Sequence, residues 1–250
     1  MTRTPERIGD IVAKLANGVL SVKINRPSAR NTMSAGVLDG LDTAIDIAEH
    51  NGAAVLALSG SGGCFCGGPD LDELASLRAN LDEAEAFATR LATVLDRLES
   101  APFGTVAVVE GHAVGAGCEL LLACDVAIAE TTARIGDAHL EYGLTPTGGG
   151  SVRLPRYMSK QRARYLLLSG ELLTGAEAER WGLVTFAVES TRLNTVASAV
   201  IERIAGQGAH GVAAMKQLMA QVQTLPREQA AYLERLAFLR QLRPDKAVLS

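Results

Sequence analysis

The sequence predicts an α/β protein whose strands run mostly parallel. Two continuous apolar runs of strand length, residues 53–59 (AAVLALS) and 105–109 (TVAVV), point to strands covered on both faces. Each run is followed by a glycine-rich loop. Each loop leads into a stretch whose apolar residues recur at helical spacing.

The elements follow in order. Residues 8–15 and 19–24 are β-type runs flanking Asn17-Gly18, a pair that accepts positive φ at both turn positions and so marks a hairpin. Arg26-Pro27 ends the second run. Ser34 stands where it can cap a helix that places Val37, Leu38, Leu41, Ile45 and Ala48 on one face. The strand at 53–59, the loop at 60–68 and a helical region carrying Phe87, Leu91, Leu95 and Leu98 come next. The strand at 105–109 precedes the loop EGHAVGAG, a short apolar helix around 117–124 and a strand-like run at 125–129. Gly143 and Gly148 to Gly150 mark a second irregular region. Helices are expected near 159–169 and 174–181, the second capped by Thr174, with a strand over 184–188. The last 60 residues read as three helices, with Leu193, Val196, Val200 and Ile204 in one stripe. The chain thus divides into a core, 1–190, and a C-terminal helical region, 191–250.

Composition narrows the function. Hydrophobic residues make up 48% of the chain and charged residues 21%, the balance of a globular protein. The net charge is −4 with no basic stripe, which argues against nucleic acid as a partner. No run approaches the ~20 apolar residues of a membrane span, and the N-terminus MTRTPERIGD does not read as a secretory leader. Cys64, Cys66, Cys118 and Cys124 lack the spacing of a metal site, so reduced, buried thiols in a cytoplasmic protein are expected.

The two glycine-rich loops are where chemistry is expected. Glycine lets backbone approach a ligand closely, and a helix start offers unpaired N–H donors, so together the loops can hold a developing oxyanion. A nucleotide reading is weak. Gly115-Ala116-Gly117 begins like a dinucleotide fingerprint but has Leu120 where the third glycine belongs, and no phosphate-binding loop ending in Gly-Lys-Ser/Thr occurs.

Several segments carry a family resemblance. Asn25 to Asn31 (NRPSARN), FCGGPDL at 65–71 and GHAVGAGCELLLACDVAIA at 111–129 resemble, in this order, segments of the enoyl-CoA hydratase/isomerase (crotonase) superfamily. Leu172, Thr174, Ala176, Ala178, Gly182, Leu183 and Val184 resemble a later one. The resemblance covers roughly residues 8 to 220. It implies a spiral of ββα units with C-terminal helices that assemble trimers or dimers of trimers. It also implies an acyl-coenzyme A thioester as substrate, with coenzyme A part of the substrate and no metal or redox cofactor. Ser28, Ala29, Arg30, Gly67, Asp70 and Leu71 would meet the coenzyme. The thioester oxygen would lie between backbone N–H groups of residues 69 and 116.

This chain departs from the pattern at two places. Position 69 is proline, which has no N–H to donate, so Ala116 remains, with Gly68 or Asp70 as substitute donors. Proline suits the first position of a helix, which would explain its presence locally. Glu119, in an otherwise apolar helix, matches one of the two glutamates that hydratases of the family use on water. The second falls on His139, which can serve as acid or base near neutral pH. Asp137 and Glu141 are close in sequence, but two-residue offsets need not face one pocket. A slot that carries aspartate in some relatives is Thr147 here. The expectation is therefore a hydratase-type lyase or isomerase using Glu119, His139 and Ala116. The alternative is an impaired homologue that only binds acyl-coenzyme A or a protein partner.

Overall fold

A computed structural model describes residues 4–242 of the chain, so the end of the 191–250 helical region lies outside the described residues. The expected hairpin forms from β2 (Ile11–Ala16) and β3 (Val19–Ile24), with Asn17 at φ 51° and Gly18 at φ 74° in the turn. The run expected at 8–15 breaks at Gly9, where φ is 55°. The residues before it fold back as β1 (Glu6–Ile8), because the Asp10 N–H is drawn aside to Gly36 O.

Ser34 caps α1 (Ala35–His50) by accepting from the Val37 N–H, and the expected apolar face of that helix is buried. After β4 (Val55–Gly60) the single expected helical region is two helices, α2 (Leu71–Ala79) and α3 (Leu81–Ser100). Asn80 divides them. Its extended backbone stops the first, and its side chain caps the second by accepting from the Asp82 and Glu83 N–H groups.

The middle of the chain gives β5 (Gly104–Val109), β6 (His112–Val114), α4 (Ala116–Leu122), β7 (Val126–Glu130) and β8 (Arg134–Gly136). Then come α5 (Gly150–Tyr157), α6 (Lys160–Ser169), β9 (Leu173–Thr174), α7 (Gly175–Trp181) and β10 (Phe186–Val188). Thr174 caps α7 in a capping box with Glu177. The chain closes with α8 (Ser190–Ala205), α9 (Ala209–Val222) and α10 (Arg227–Gln241).

Among the described residues the strands form two sheets. The large one has the order β1-β2-β3-β4-β5-β7-β10 and is parallel from β3 onward; the small one has the order β6-β8-β9. Successive strands alternate between them: β5 joins the large sheet, β6 the small one, and α4 follows; β7 and β8 do the same before α5. The segment after β4 follows the same plan, because Cys66 bridges to Ala113 of β6 before α2 begins. This is the spiral of ββα units that the resemblance implies.

One face of the large sheet packs on α1, α3 and α4 through a core that includes Leu38, Leu41, Leu56, Leu58, Leu95, Phe103 and Leu121. The other face, with Val55, Val106, Val108 and Ile128, is covered by α8 through Leu193, Ala197 and the half-buried Val196, Val200 and Ile204. The expected stripe therefore seals the second side of the parallel strands. Lys216 on α9 ties the tail to the core, donating to Asp125 Oδ2 at 2.8 Å and Phe103 O at 3.0 Å. Beyond that tie, α9 and α10 expose Met215, Met219, Tyr232, Phe238 and Leu239.

Candidate active site

The two glycine-rich loops lie side by side. Cys66 donates to His112 O at 2.9 Å and accepts from Val114 N–H at 3.1 Å, which lays the first loop along β6. At Gly117 a Cβ would come within 2.3 Å of Cys66 O, so the first turn of α4 rests directly on that loop. Gly115, at φ 54°, turns the chain sharply from β6 into α4. The Ala116 N–H heads the helix, a position with no intrahelical partner.

Pro69 is held by the backbone on either side of it. Met33 N–H donates to Gly68 O at 2.8 Å, and Asp70 N–H donates to Met33 O at 3.2 Å. In such a parallel bridge, the nitrogen of residue 69 lies on the edge away from Met33. That edge faces the start of α4, where Pro69 Cδ is 3.4 Å from where a Cβ on Gly115 would stand. A ring methylene thus occupies the place of an N–H. Two expectations are corrected here. Helix α2 begins at Leu71 with Asp70 as its cap, so Pro69 precedes the helix and does not occupy its first position. Asp70 N–H is not a substitute donor, because Met33 O takes it. Gly68, at φ 114°, spends its carbonyl on Met33 and does not line the cavity described below.

The carboxylate of Asp70 turns inward to structure. It accepts from the Asp72 and Glu73 N–H groups, from Arg26 Nη1 at 2.8 Å and from Thr32 Oγ1 at 3.1 Å. Burial works against its charge, but the Glu73 N–H and Arg26 outweigh it and hold the pKa below the ordinary value. The other residues expected at the coenzyme come together on one edge. Pro27–Ala29 form a 3-10 turn with Ser28 and Arg30 exposed, and Arg30 O accepts from Gly67 N–H at 2.9 Å. Leu71 is more than half exposed nearby.

Glu119 is fully buried in the first turn of α4. One oxygen, Oε1, accepts from Gly150 N–H at 2.8 Å; the other, Oε2, has no hydrogen-bond partner and lies 3.8 Å from His139 Nε2. His139 is itself buried, and its Nδ1 lies 3.0 Å from Asp137 Oδ1. Asp137 Oδ1 also accepts the His139 backbone N–H at 3.3 Å. The left-handed backbone of Ala138, φ 51°, turns Asp137 and His139 toward each other. Strand alternation in the sequence did not reveal this. Nor did the sequence reveal Gly150, whose N–H is the hydrogen-bond donor to Glu119. Glu141 is exposed and away from the site, against Gly170.

Burial raises the pKa of Glu119; His139 and the Gly150 N–H lower it, but burial prevails. For His139, burial disfavours the cation, yet Asp137 and then Glu119 outweigh it and the pKa is raised. The two groups titrate as a coupled pair.

A cavity of about 280 Å³ is lined by His139, whose Nε2 is 3.8 Å from the buried Glu119 Oε2. Leu74, Leu77 and Leu81 from α2 and the start of α3, with Phe87, Ala88 and Leu91 from α3, make its apolar wall; Pro69, Ala116, His139 and Thr147 lie at its polar end. A carbonyl oxygen bound there meets one backbone N–H. The 3.8 Å between Glu119 Oε2 and His139 Nε2 leaves no room for an oxygen on the line joining them; an oxygen to the side of that line, about 2.8 Å from each, reaches both. Among the described residues no cluster of His, Cys, Asp and Glu is arranged to hold a metal ion.

A family model described as enoyl-CoA hydratase/isomerase matches residues 14–246. The chain belongs to that family. Curated relatives include a Mycobacterium tuberculosis protein described as "Probable enoyl-CoA hydratase echA8", 34% identical over 75% of this chain and 72% of that protein. The mitochondrial methylglutaconyl-CoA hydratase of Mus musculus is 32% identical over 70% of this chain and 56% of its own length. Among solved structures, enoyl-CoA hydratase from Bacillus anthracis superposes with a TM-score of 0.89 at 28% identity, covering 96% of this chain and 93% of that one.

Replacing Asp137 with Asn removes the larger of the two charges that raise the His139 pKa. The expected outcome is a lower His139 pKa, read by NMR titration of the imidazole signals. An unchanged value would contradict the assignment of Asp137 as the group that holds the proton on the ring.

Proposed function

We propose that the protein is a hydratase-type lyase that adds water across the double bond of a 2-enoyl-coenzyme A thioester through a thioester enolate. It is an acyl-coenzyme A-processing enzyme of the hydratase/isomerase family. The observation that carries the hydration reading is the 3.8 Å approach of Glu119 Oε2 to His139 Nε2, with His139 and Ala116 both lining an apolar cavity. A water hydrogen-bonded to both groups from the side gives a proton to the Glu119 carboxylate as its oxygen bonds to the β-carbon. The electrons of the double bond move onto the thioester oxygen, where the Ala116 N–H meets the charge. The α-carbon then takes a proton from the His139 imidazolium, and the coupled pair re-equilibrates. The coenzyme belongs to the substrate, with Ser28, Ala29, Arg30, Gly67 and Leu71 at its edge, and the scheme uses no metal or redox cofactor.

The apolar wall supports an uncharged aliphatic acyl group, as in fatty-acid metabolism. Arg78, at the cavity, already donates to Tyr142 O at 2.9 Å. An impaired binding homologue is not favoured, because Glu119, Ala116 and an apolar cavity beside His139 are all present. No helix among the described residues is long and apolar enough to cross a membrane, and the four cysteines are buried and unpaired, which supports a cytoplasmic setting. The exposed apolar residues of α9 and α10 support a homotrimer or hexamer built by the 191–250 region. Light scattering at micromolar concentration is expected to give three or six times the chain mass; a stable monomer would rule that out.

Glu119→Gln is expected to abolish turnover while leaving binding of a non-reactive thioether analogue within about twofold, since the amide keeps the shape but cannot carry the proton. Wild-type activity should rise with pH through the elevated Glu119 pKa and fall through the elevated His139 pKa. The His139→Gln variant should lose the alkaline limb. Unchanged turnover in Glu119→Gln would remove this residue from the chemistry.

Pro69→Ala restores an N–H on the edge that faces Ala116. In comparable acyl-transfer sites a missing oxyanion donor costs roughly 2.7–4 kcal/mol, so hydration of a short enoyl thioester should quicken, in kcat more than in KM. A folded variant with no gain on any thioester would mean that the missing donor does not limit the rate.

A further inference from the structure

We infer that Arg153 is a positioning residue for Glu119, fixing the glycine loop whose Gly150 N–H holds one carboxylate oxygen and leaves the other directed at His139. The inference rests on Glu119 being the base proposed above. Arg153 is only 3% exposed, unusual burial for a guanidinium. Its Nε donates to Glu99 Oε2 at 2.7 Å and its Nη2 to Asp96 Oδ1 at 2.5 Å, both on α3, while Nη1 donates inward to Gly148 O. Joining α5 to α3 does not by itself require a buried cation. Arg156, half exposed, already reaches Glu99 at 3.2 Å. The bond that distinguishes Arg153 is the inward one.

That bond lands on the loop touching Glu119. A Cβ on Gly148 would sit 2.8 Å from Glu119 Oε2, and one on Gly149, whose φ is 92°, would sit 2.2 Å from Arg153 Nη1. The run of three glycines is thus the space that the guanidinium and the carboxylate leave between them. Gly150, the third, donates to Glu119 Oε1 at 2.8 Å. Arg153 therefore acts through the backbone from Gly148 to Gly150. Without it, nothing ties Gly148 O to α3, and the Gly150 N–H is placed only by the start of α5, where the Val152 and Arg153 N–H groups donate to Gly149 O.

The consequence has a sign. The groups that face Glu119 are His139 and Asp137, with Cys118 its neighbour on α4. The Gly150 N–H lowers the Glu119 pKa against burial, so loosening the loop moves the acid limb of the rate profile to higher pH.

The test compares Arg153→Met, Arg153→Lys and the paired Asp96→Asn/Glu99→Gln variant, which replaces exposed side chains and removes the charges that anchor the guanidinium to α3. For Arg153→Met, kcat on an enoyl thioester should fall roughly 10- to 100-fold with KM within about twofold. Its acid limb should move up, and Arg153→Lys should recover part of the loss. If Arg153→Met fails to fold, the paired variant decides, with the same direction of change. Difference infrared titration of the Glu119 carboxyl, identified by its loss in Glu119→Gln, reads the same shift without turnover. A wild type inactive on every enoyl thioester, with the infrared shift intact, would sink the proposed reaction and leave the clamp standing. Folded variants with unchanged acid limb, carboxyl titration and kcat would overturn the role of Arg153.

Discussion

The site depends on one buried carboxylate. Glu119 is wholly removed from water, with a single hydrogen bond to Gly150 N–H and an unpartnered oxygen directed at His139. An isolated buried charge is costly, so its surroundings must share a proton with it or supply opposite charge. His139, whose cation Asp137 favours, does this from one side and the glycine loop from the other. Both pKa values are raised, and a base and an acid stand 3.8 Å apart.

The spiral explains why these parts meet. Each ββα unit sends one strand to the large sheet and the next to the small one, so the turns between strand and helix stack at one end. Gly60, Gly115 and Gly117 are demanded by that stacking: a Cβ on Gly60 or Gly117 would strike the backbone of the first loop, and Gly115 adopts a conformation that favours glycine. The apolar wall comes from a different source, the break at Asn80, which lets α2 and α3 close around the cavity instead of running on as one straight helix.

Much of this was legible in the residues. The buried strands, the hairpin at Asn17-Gly18, the Ser34 and Thr174 caps and the α8 stripe follow from local periodicity and capping chemistry, which the final packing leaves intact. Glu119 stood out as a lone carboxylate in an apolar helix. What could not be read depends on long-range register. Asp137 faces His139 only because Ala138 takes a left-handed turn, and Gly150 and Arg153 meet Glu119 and α3 only after the chain has wound once around. Proline at 69 lacks an N–H in any fold, but its place ahead of α2 could not be read. The bridge to Met33, 36 residues earlier in the chain, sets which edge of residue 69 faces the site and takes the Asp70 N–H out of play.

The most direct measurement is a crystal structure with a non-hydrolysable thioether or amide analogue of an aliphatic enoyl-coenzyme A. The expected result places the analogue's carbonyl oxygen within hydrogen-bond distance of the Ala116 N–H and against the Pro69 ring. Its acyl chain should run along Leu77, Phe87 and Leu91, with the β-carbon facing the space between Glu119 Oε2 and His139 Nε2. A carbonyl bound away from Ala116, or a β-carbon turned from that pair, would contradict the account.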